Sequence, residues 1–329
     1  MFHYDNGLKI TALDLAVDFR RRQPRGFISH AHADHVARHE MAYCTPATSQ
    51  LYQHRWGKRL VRPMPFGEIM DWHGMRLTTH PAGHILGSAM LHVDDGQQSL
   101  LYTGDFKLGP SATAEIAAPP RADILVMEST FGDPQYRLPP RDQVIAELVQ
   151  IIRDALRTET TPVIQAYVLG KSQEVTRILT LAGFEVLQHP LVHEISQVYE
   201  ACGCQLGSYR LYDPAKVEGR VVIVPPASQR ASRLGGLRKT VTIGVTGWAM
   251  NARRGFAHRT DHALPLSDHA DYTGLLQCIE QVSPRVIYCT HGPEAFIHDL
   301  RERGYDARAL DGKAELRPVA ERQGQLFDF

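Results

Sequence analysis

Apolar positions in the first 135 residues fall in short runs separated by polar segments. Gly26-Phe27-Ile28-Ser29 is one such run, and it stops at a His-rich segment. Two more, Ala89 to Val93 and Ser99 to Thr103, flank Asp94-Asp95-Gly96-Gln97-Gln98, which predicts a β-hairpin. Ala122 to Met127 reads as a buried strand. From Arg141 the period lengthens. Val144, Leu148, Ile151, Ile152 and Ala155 share one helical face behind Pro139-Pro140. An alternation follows: strand near Val163 to Ala166, helix near Ser172 to Leu181, strand near Phe184 to Leu187. A helix near His193 to Ala201 and a strand at Val221 to Val224 continue it. That pattern predicts a small sheet covered by helices. The last third shows a His/Asp loop (Ser267 to Asp271), a helix, a strand at Arg285 to Cys289, then Thr290-His291-Gly292 and a helix starting near Pro293. The tail from Arg317 to Phe329 is expected to attach loosely. The fold class is therefore α/β.

Composition is that of an ordinary globular chain: 329 residues, 43% apolar and 22% charged, which excludes disordered and fibrous classes. Lys+Arg and Asp+Glu number 36 each, so net charge alone does not announce a polyanionic partner. The balance is uneven, however. Gln229 to Arg259 holds Arg230, Arg233, Arg238, Lys239, Arg253, Arg254 and Arg259 and no acid, a candidate wall for a polyanion. Arg20, Arg21, Arg22 and Arg25 read as a solvated basic face. Five Cys without a CxxC pair argue for reduced thiols rather than a disulfide framework. Met1 to Ile10 has no leader pattern, and no apolar run reaches 18 residues. The expectation is a cytoplasmic chain without membrane contact.

The 17 histidines change the picture through their placement. His30-Ala31-His32-Ala33-Asp34-His35 puts three imidazoles and a carboxylate directly after an apolar strand. Imidazole and carboxylate together suit zinc and other borderline divalent ions. Six residues do not complete two metal shells, so further His or Asp should stand at other strand ends. His84 in Pro81-Ala82-Gly83-His84, Asp105 in Thr103-Gly104-Asp105 and His291 in Cys289-Thr290-His291-Gly292 fit that requirement.

The H-x-H-x-D-H motif and the order of the later residues resemble the metallo-β-lactamase fold, an αββα sandwich with a two-metal site along one edge. The resemblance implies that His30, His32 and His84 bind one metal. Asp34, His35 and His291 would bind the other, with Asp105 bridging. Asp14 would orient ligands from behind, as outer carboxylates do. The ions expected are two Zn²⁺, with Mn²⁺ or Fe²⁺ as alternatives. Such a pair serves a two-metal hydroxide mechanism on phosphodiesters, esters or lactams.

Glu128 in Glu128-Ser129-Thr130-Phe131-Gly132, His269 in Ser267-Asp268-His269-Ala270-Asp271 and Gly170-Lys171-Ser172-Gln173-Glu174 are similar to the β-CASP branch of that superfamily, whose members cleave DNA or RNA. The expected organisation is a core over 1–135, an inserted small α/β β-CASP cap over 136–245, and a return to the core over 246–329. Asp34, Glu128 and His269 would serve catalysis, with Glu128 keeping His269 cationic. Lys171, at a helix start, would bind backbone phosphate together with Arg230, Arg233, Arg253 and Arg254. The chain looks most like bacterial ligase-associated DNA exonucleases. That implies 5′-end-directed cleavage in repair, with DNA favoured over RNA and a DNA ligase and helicase as pathway partners. His291 is the residue usual in RNA-acting members, so RNA processing of the mRNA 3′-end type is the alternative. A small-molecule hydrolase and a non-catalytic scaffold are the other readings. The cap and the Glu128/His269 pair oppose the first, and the complete ligand set opposes the second.

Overall fold

The computed structural model describes residues 1–5, 7–226, 235–251 and 259–310. Six strands form a first sheet in chain order: β1 (Phe2–Tyr4), β2 (Leu8–Ile10), β3 (Leu15–Val17), β4 (Arg25–Phe27), β5 (Met41–Cys44) and β6 (Val61–Pro63). Helix α1 (Pro46–Trp56) crosses between the last two. A second sheet begins with β7 (Ile69–Trp72), β8 (Met75–Pro81), β9 (Ala89–Asp94), β10 (Ser99–Tyr102) and β11 (Ile124–Glu128). The expected hairpin is β9–β10, antiparallel with Leu101 opposite His92.

The chain then leaves this sheet. Helix α2 (Arg141–Arg157), β12 (Thr161–Gln165), α3 (Lys171–Leu181), β13 (Val186–Gln188), α4 (Pro190–Ala201), β14 (Tyr209–Leu211), β15 (Val221–Val224), β16 (Thr240–Val245) and β17 (His262–Leu264) build a separate cap. Its six strands are all parallel, in the order β14-β13-β15-β12-β16-β17. Helix α5 (Tyr272–Val282), β18 (Val286–Thr290), α6 (Glu294–Glu302) and β19 (Ala307–Ala309) return to the second sheet, where β18 pairs with β11.

Alternation along the strands decides the layers. Leu15, Val17 and Phe27 of the first sheet meet Leu91, Val93, Leu100 and Val126 of the second in one shared core. The next residues along, Leu101, Leu125 and Met127, face outward and are covered by Leu275, Ile279 and Phe296 of α5 and α6. Tyr52 of α1 covers Ala42 and Cys44 on the far side. Helix, sheet, sheet, helix is the expected sandwich. In the cap, Leu148, Ile152, Val175 and Leu179 of the helices pack on Ile164, Ile223 and Ile243.

Two features differ from expectation. The first 135 residues contain α1, which the apolar pattern does not reveal, because its buried face mixes Thr48 and Ser49 with Leu51 and Tyr52. The local signal was Thr45-Pro46: Thr45 accepts the Thr48 N–H and Pro46 opens the first turn. The expected return to the core at 246 also comes later. Strand β17 still pairs with β16, Ile243 opposite His262, so the cap sheet extends to Leu264. Only Leu264 of that strand is buried, too little apolar pattern to announce it.

Cap and core meet in a small apolar cluster: Ala31, Leu51, Ile85 and Leu86 from the core with Leu169, Tyr199 and Leu206 from the cap. It lies beside the His-rich segment and sets the cap over it.

Candidate metal centre

The His-rich segment leaves β4, His84 follows β8, Asp105 follows β10 and His291 follows β18, so four strand ends deliver them. Gly104 makes the approach of Asp105 feasible. Its φ is +55°, and a Cβ there would stand 2.7 Å from the Ser29 side chain. Donor atoms of His30, His32, His84 and Asp105 all lie within 4.8 Å of one another, and so do those of His35, Asp105 and His291. Asp105 is common to both sets. Its Oδ2 lies 3.4 Å from His30 Nε2, 3.3 Å from His35 Nε2 and 3.9 Å from His84 Nε2.

Hydrogen bonds on the outer side set each ring's tautomer. A carbonyl only accepts, so His32 Nε2 donates to Leu169 O (3.1 Å) and His84 Nδ1 donates to Asp268 O (2.8 Å). His35 Nδ1 donates to Asp18 Oδ2 (2.8 Å). Ser29 Oγ gives its proton to Asp18 (2.5 Å) and so accepts from His30 Nδ1 (2.9 Å). The opposite nitrogens of His30, His32 and His84 therefore carry lone pairs, and these converge, whereas at His35 burial is overcome by Asp105 and Asp18, which raise its pKa well above the usual range. His84 Nε2 and His32 Nδ1 stand 3.0 Å apart with no proton to share. His30 Nε2 is buried with no hydrogen-bond partner among the described residues. Burial holds His30, His32 and His84 below the usual histidine range, His84 at about 3, so these rings stay neutral. Neutral imidazoles and a carboxylate aimed at one small volume fit divalent metal ions. Asp34 stands at the margin. Its side chain is 57% exposed, and Oδ2 lies 3.8 Å from His35 Nε2 and 3.9 Å from Arg20. His291 is exposed at φ +55°, its ring 5.7 Å from that of His35.

The supporting carboxylate is Asp18, not Asp14. Asp14 points to solvent and pairs with Lys9 at 3.6 Å. Asp18 accepts from the Ser29 N–H (2.8 Å), Ser29 Oγ, Tyr102 Oη (2.8 Å) and His35. Its φ of +51° is a left-handed conformation that Asp tolerates and this network holds. The local signal was the same strand-end logic, since Asp18 directly follows β3. Asp18→Ala should weaken metal affinity about 10–100-fold. A chelator competition titration measures this, and unchanged affinity would refute the role.

Glu128 ends β11 and is buried. It accepts from Phe106 N (2.8 Å), Thr130 Oγ1 (2.5 Å) and, with both oxygens at 3.0 Å, His269 Nδ1. Burial opposes charge on His269, but the Glu128 charge and hydrogen bond overcome it and raise its pKa to about 10. The ring is thus a cation at neutral pH, 4.5 Å from the His84 ring.

The expected phosphate-binding cations fare differently. Lys171 is 1% exposed, paired with Glu174 Oε2 at 2.7 Å and Asp268 Oδ2 at 3.8 Å. It is an interior ion-pair residue, out of a substrate's reach. Arg230, Arg233, Arg253 and Arg254 lie outside the described residues. Lys239 bonds Thr158 O at the far end of β16. It stands seven positions before Thr246 at the cleft, about 23 Å of extended chain.

A cleft of about 820 Å³ opens between the metal edge and the cap. Leu51, His54 and Arg55 of α1 line one wall, and Tyr167, Leu169, Leu191 and Ile195 of the cap line the other. Trp248, whose ring packs 4.7 Å from Phe131, stands in it with His269. Tyr167 is 42% exposed. A second groove of about 710 Å³, lined by Lys9, Arg20 and Arg21, shares Asp34, His35 and His291 with the first. The metal edge is thus reached from two flanks. Sequence reasoning missed Tyr167, Trp248 and the His54/Arg55 wall, since each is an unremarkable residue until the cap is placed.

Residues 260–313 match the family described as Zn-dependent metallo-hydrolase RNA specificity domain. The chain is 39% identical over 319 residues to a probable DNA ligase of Opitutus terrae, covering 95% of this chain and 31% of that protein. It is 27% identical over 332 residues to the 5′ exonuclease Apollo of Gallus gallus, covering 95% of this chain and 70% of Apollo. It is 44% identical over 121 residues to transcription termination factor FttA of Methanothermobacter thermautotrophicus, 35% of this chain and 19% of that factor. The chain thus spans less than a third of the ligase and less than a fifth of that factor. A solved Enterococcus faecalis protein of unknown function shares the fold at TM-score 0.63 and 15% identity, over 88% of this chain and 80% of that one.

Proposed function

We propose that this chain, which belongs to the β-CASP branch of the metallo-β-lactamase fold, is a metal-dependent nuclease that hydrolyses phosphodiesters, acting as a DNA exonuclease from a 5′ end. One observation carries the reading: inward lone pairs of neutral imidazoles and the cationic His269 face one volume, at a cleft that continues past it as a second groove. A linear polyanion fits such a passage better than a compact small molecule does. Exposed Tyr167 and half-buried Trp248 suit base stacking. The names 5′ exonuclease and probable DNA ligase among the relatives support the DNA reading and a ligase of the same repair pathway. A helicase partner and a cytoplasmic setting belong to the same proposal. Among the described residues no helix is long and apolar enough to cross a membrane.

His30, His32, His84 and Asp105 would hold one ion, and His35, His291, Asp34 and Asp105 the other, with zinc favoured by the imidazole-rich set. When bound, the ions supply charge neutralisation at phosphorus and a water acidified towards neutral pH. The protein's own residues do the rest. Glu128 holds His269 Nδ1, which leaves Nε2 for the substrate. From there His269 donates a hydrogen bond to the scissile phosphate and a proton to the departing 3′-oxygen. Asp18 keeps His35 and His30 oriented throughout.

His269→Ala should retain metal and cut about 10²–10⁴-fold more slowly. Metal analysis with single-turnover rates checks this, and metal loss in that variant would reassign the residue. Matched DNA and RNA strands, each with and without a 5′-phosphate, test the substrate. Faster loss of 5′-phosphorylated DNA is expected. Faster RNA cleavage would establish the alternative, which the family description, the FttA likeness and His291 favour. Turnover of a thioester with neither nucleic acid cut would refute the nuclease reading.

A further inference from the structure

Residues 169–171 of the cap make contacts that a mere cover would not need. The Leu169 carbonyl accepts the Nε2–H of His32 at 3.1 Å. Gly170 has φ +90°, and a Cβ there would come within 2.3 Å of Ile85 Cγ2, beside His84, so only glycine lets the cap backbone come this close. Lys171 reaches Asp268, whose carbonyl accepts the Nδ1–H of His84 at 2.8 Å. The two rings so held are those whose lone pairs stand 3.0 Å apart. Glu174, one turn on, gathers Lys171 and Arg141 of the cap and Lys107 of the core, at 2.7, 2.8 and 3.6 Å.

We propose that docking of the cap and binding of metal are one coupled equilibrium in this chain, with Lys171 as a positioning residue for His84 and the Leu169 carbonyl fixing His32. It rests on the metal reading above. With the cap displaced, His32 loses the acceptor that keeps its proton on Nε2, and its ring turns freely. With the cap seated and no cation, the lone pairs of His32 and His84 repel and press the cap away. A cation between them reverses that repulsion, so each event favours the other, and linkage makes the effect reciprocal. Outer partners of this kind set ligand orientation.

Zinc affinity, measured without substrate by competition with a chromogenic chelator, tests the coupling. Lys171→Met, Asp268→Asn and Gly170→Ala should each bind zinc about 10–100-fold more weakly, the range for loss of an outer partner. Amide exchange over residues 166–174 of the unaltered protein should slow when zinc is added. Well-folded variants with unchanged zinc affinity would overturn the coupling alone. If the variants fail to fold, the exchange measurement decides, and protection of 166–174 that ignores zinc overturns it. No zinc uptake by the unaltered chain would overturn the metal reading and the coupling with it.

Discussion

Asp105→Ala is expected to abolish the proposed phosphodiester cleavage together with metal binding. Asp105 is 7% exposed and is the one carboxylate in both donor sets, facing Nε2 of His30, His35 and His84. Burial opposes its charge, yet His35, by charge and hydrogen bond, and then His269 hold its carboxyl well below the usual range, so it stays an anion. Without it the remaining ligands are neutral rings, with only exposed Asp34 to offset two divalent charges. Loss of a single preorganised electrostatic contact already slows an enzyme about 10²–10³-fold. Here the activation of water goes as well, so the expected loss exceeds about 10³-fold. Elemental analysis with single-turnover cleavage measures both. His32→Ala is likewise expected to abolish the proposed cleavage through metal loss, but His32 belongs to one set only, so the other should keep its ion. Full metal content with normal rates in Asp105→Ala would refute the bridging role.

Glu174→Ala is expected to destabilise the fold by about 3–5 kcal/mol, the usual consequence of stranding buried charge. Glu174 is 3% exposed and accepts from Lys171 at 2.7 Å, Arg141 at 2.8 Å and Ser111 Oγ at 3.3 Å, with Lys107 at 3.6 Å. The alanine leaves three cations without the carboxylate they share, with Asp268 3.8 Å from Lys171 the nearest remaining acid to that lysine. Burial alone would raise the Glu174 pKa, but Lys171, then Lys107 and Arg141, hold it far below the ordinary 4.5. Because the folded value is depressed, this stabilisation is present above pH 4.5 and fades as pH falls through the folded value. Denaturant melts should therefore show a wide gap between wild type and variant at pH 7 and a narrower one in acid. A gap under about 1 kcal/mol at pH 7 would show that the network contributes little.

The donor residues themselves were legible in the sequence, because one half of the centre is local. His30, His32, Asp34 and His35 share a single loop, and His84, Asp105 and His291 each follow a strand. The cap's alternation was legible too, since α2 and α3 present regular apolar faces. Asp14 was taken for Asp18 because both are strand-end acids four residues apart, and only burial tells them apart. Lys171 looked like a phosphate ligand because a helix start with a cation is a fair local signal. Glu174, three residues on, could already match the charge at i,i+3, but only the packed structure shows that this pair is buried and that Asp268, almost a hundred residues further on, joins it. Strand β17 escaped notice because a three-residue edge strand carries too little pattern.

The family resemblance implied that an α/β insert interrupts a sandwich. By itself the sequence determined which side chains could bind metal, that strand ends would present them, and that strands and helices alternate after Arg141. These follow from nearest-neighbour spacing and periodicity, which the chain carries locally. Tertiary structure alone decided how those side chains are held. His32 is fixed by a carbonyl 137 residues away, His84 by one 184 residues away and His269 by a carboxylate 141 residues away. Proton placement on each ring depends on those distant partners, and so does the charge on His269. The chemistry of the centre is therefore a property of the packed cap and core, because a histidine acquires its donor and acceptor faces only when its second nitrogen meets its partner.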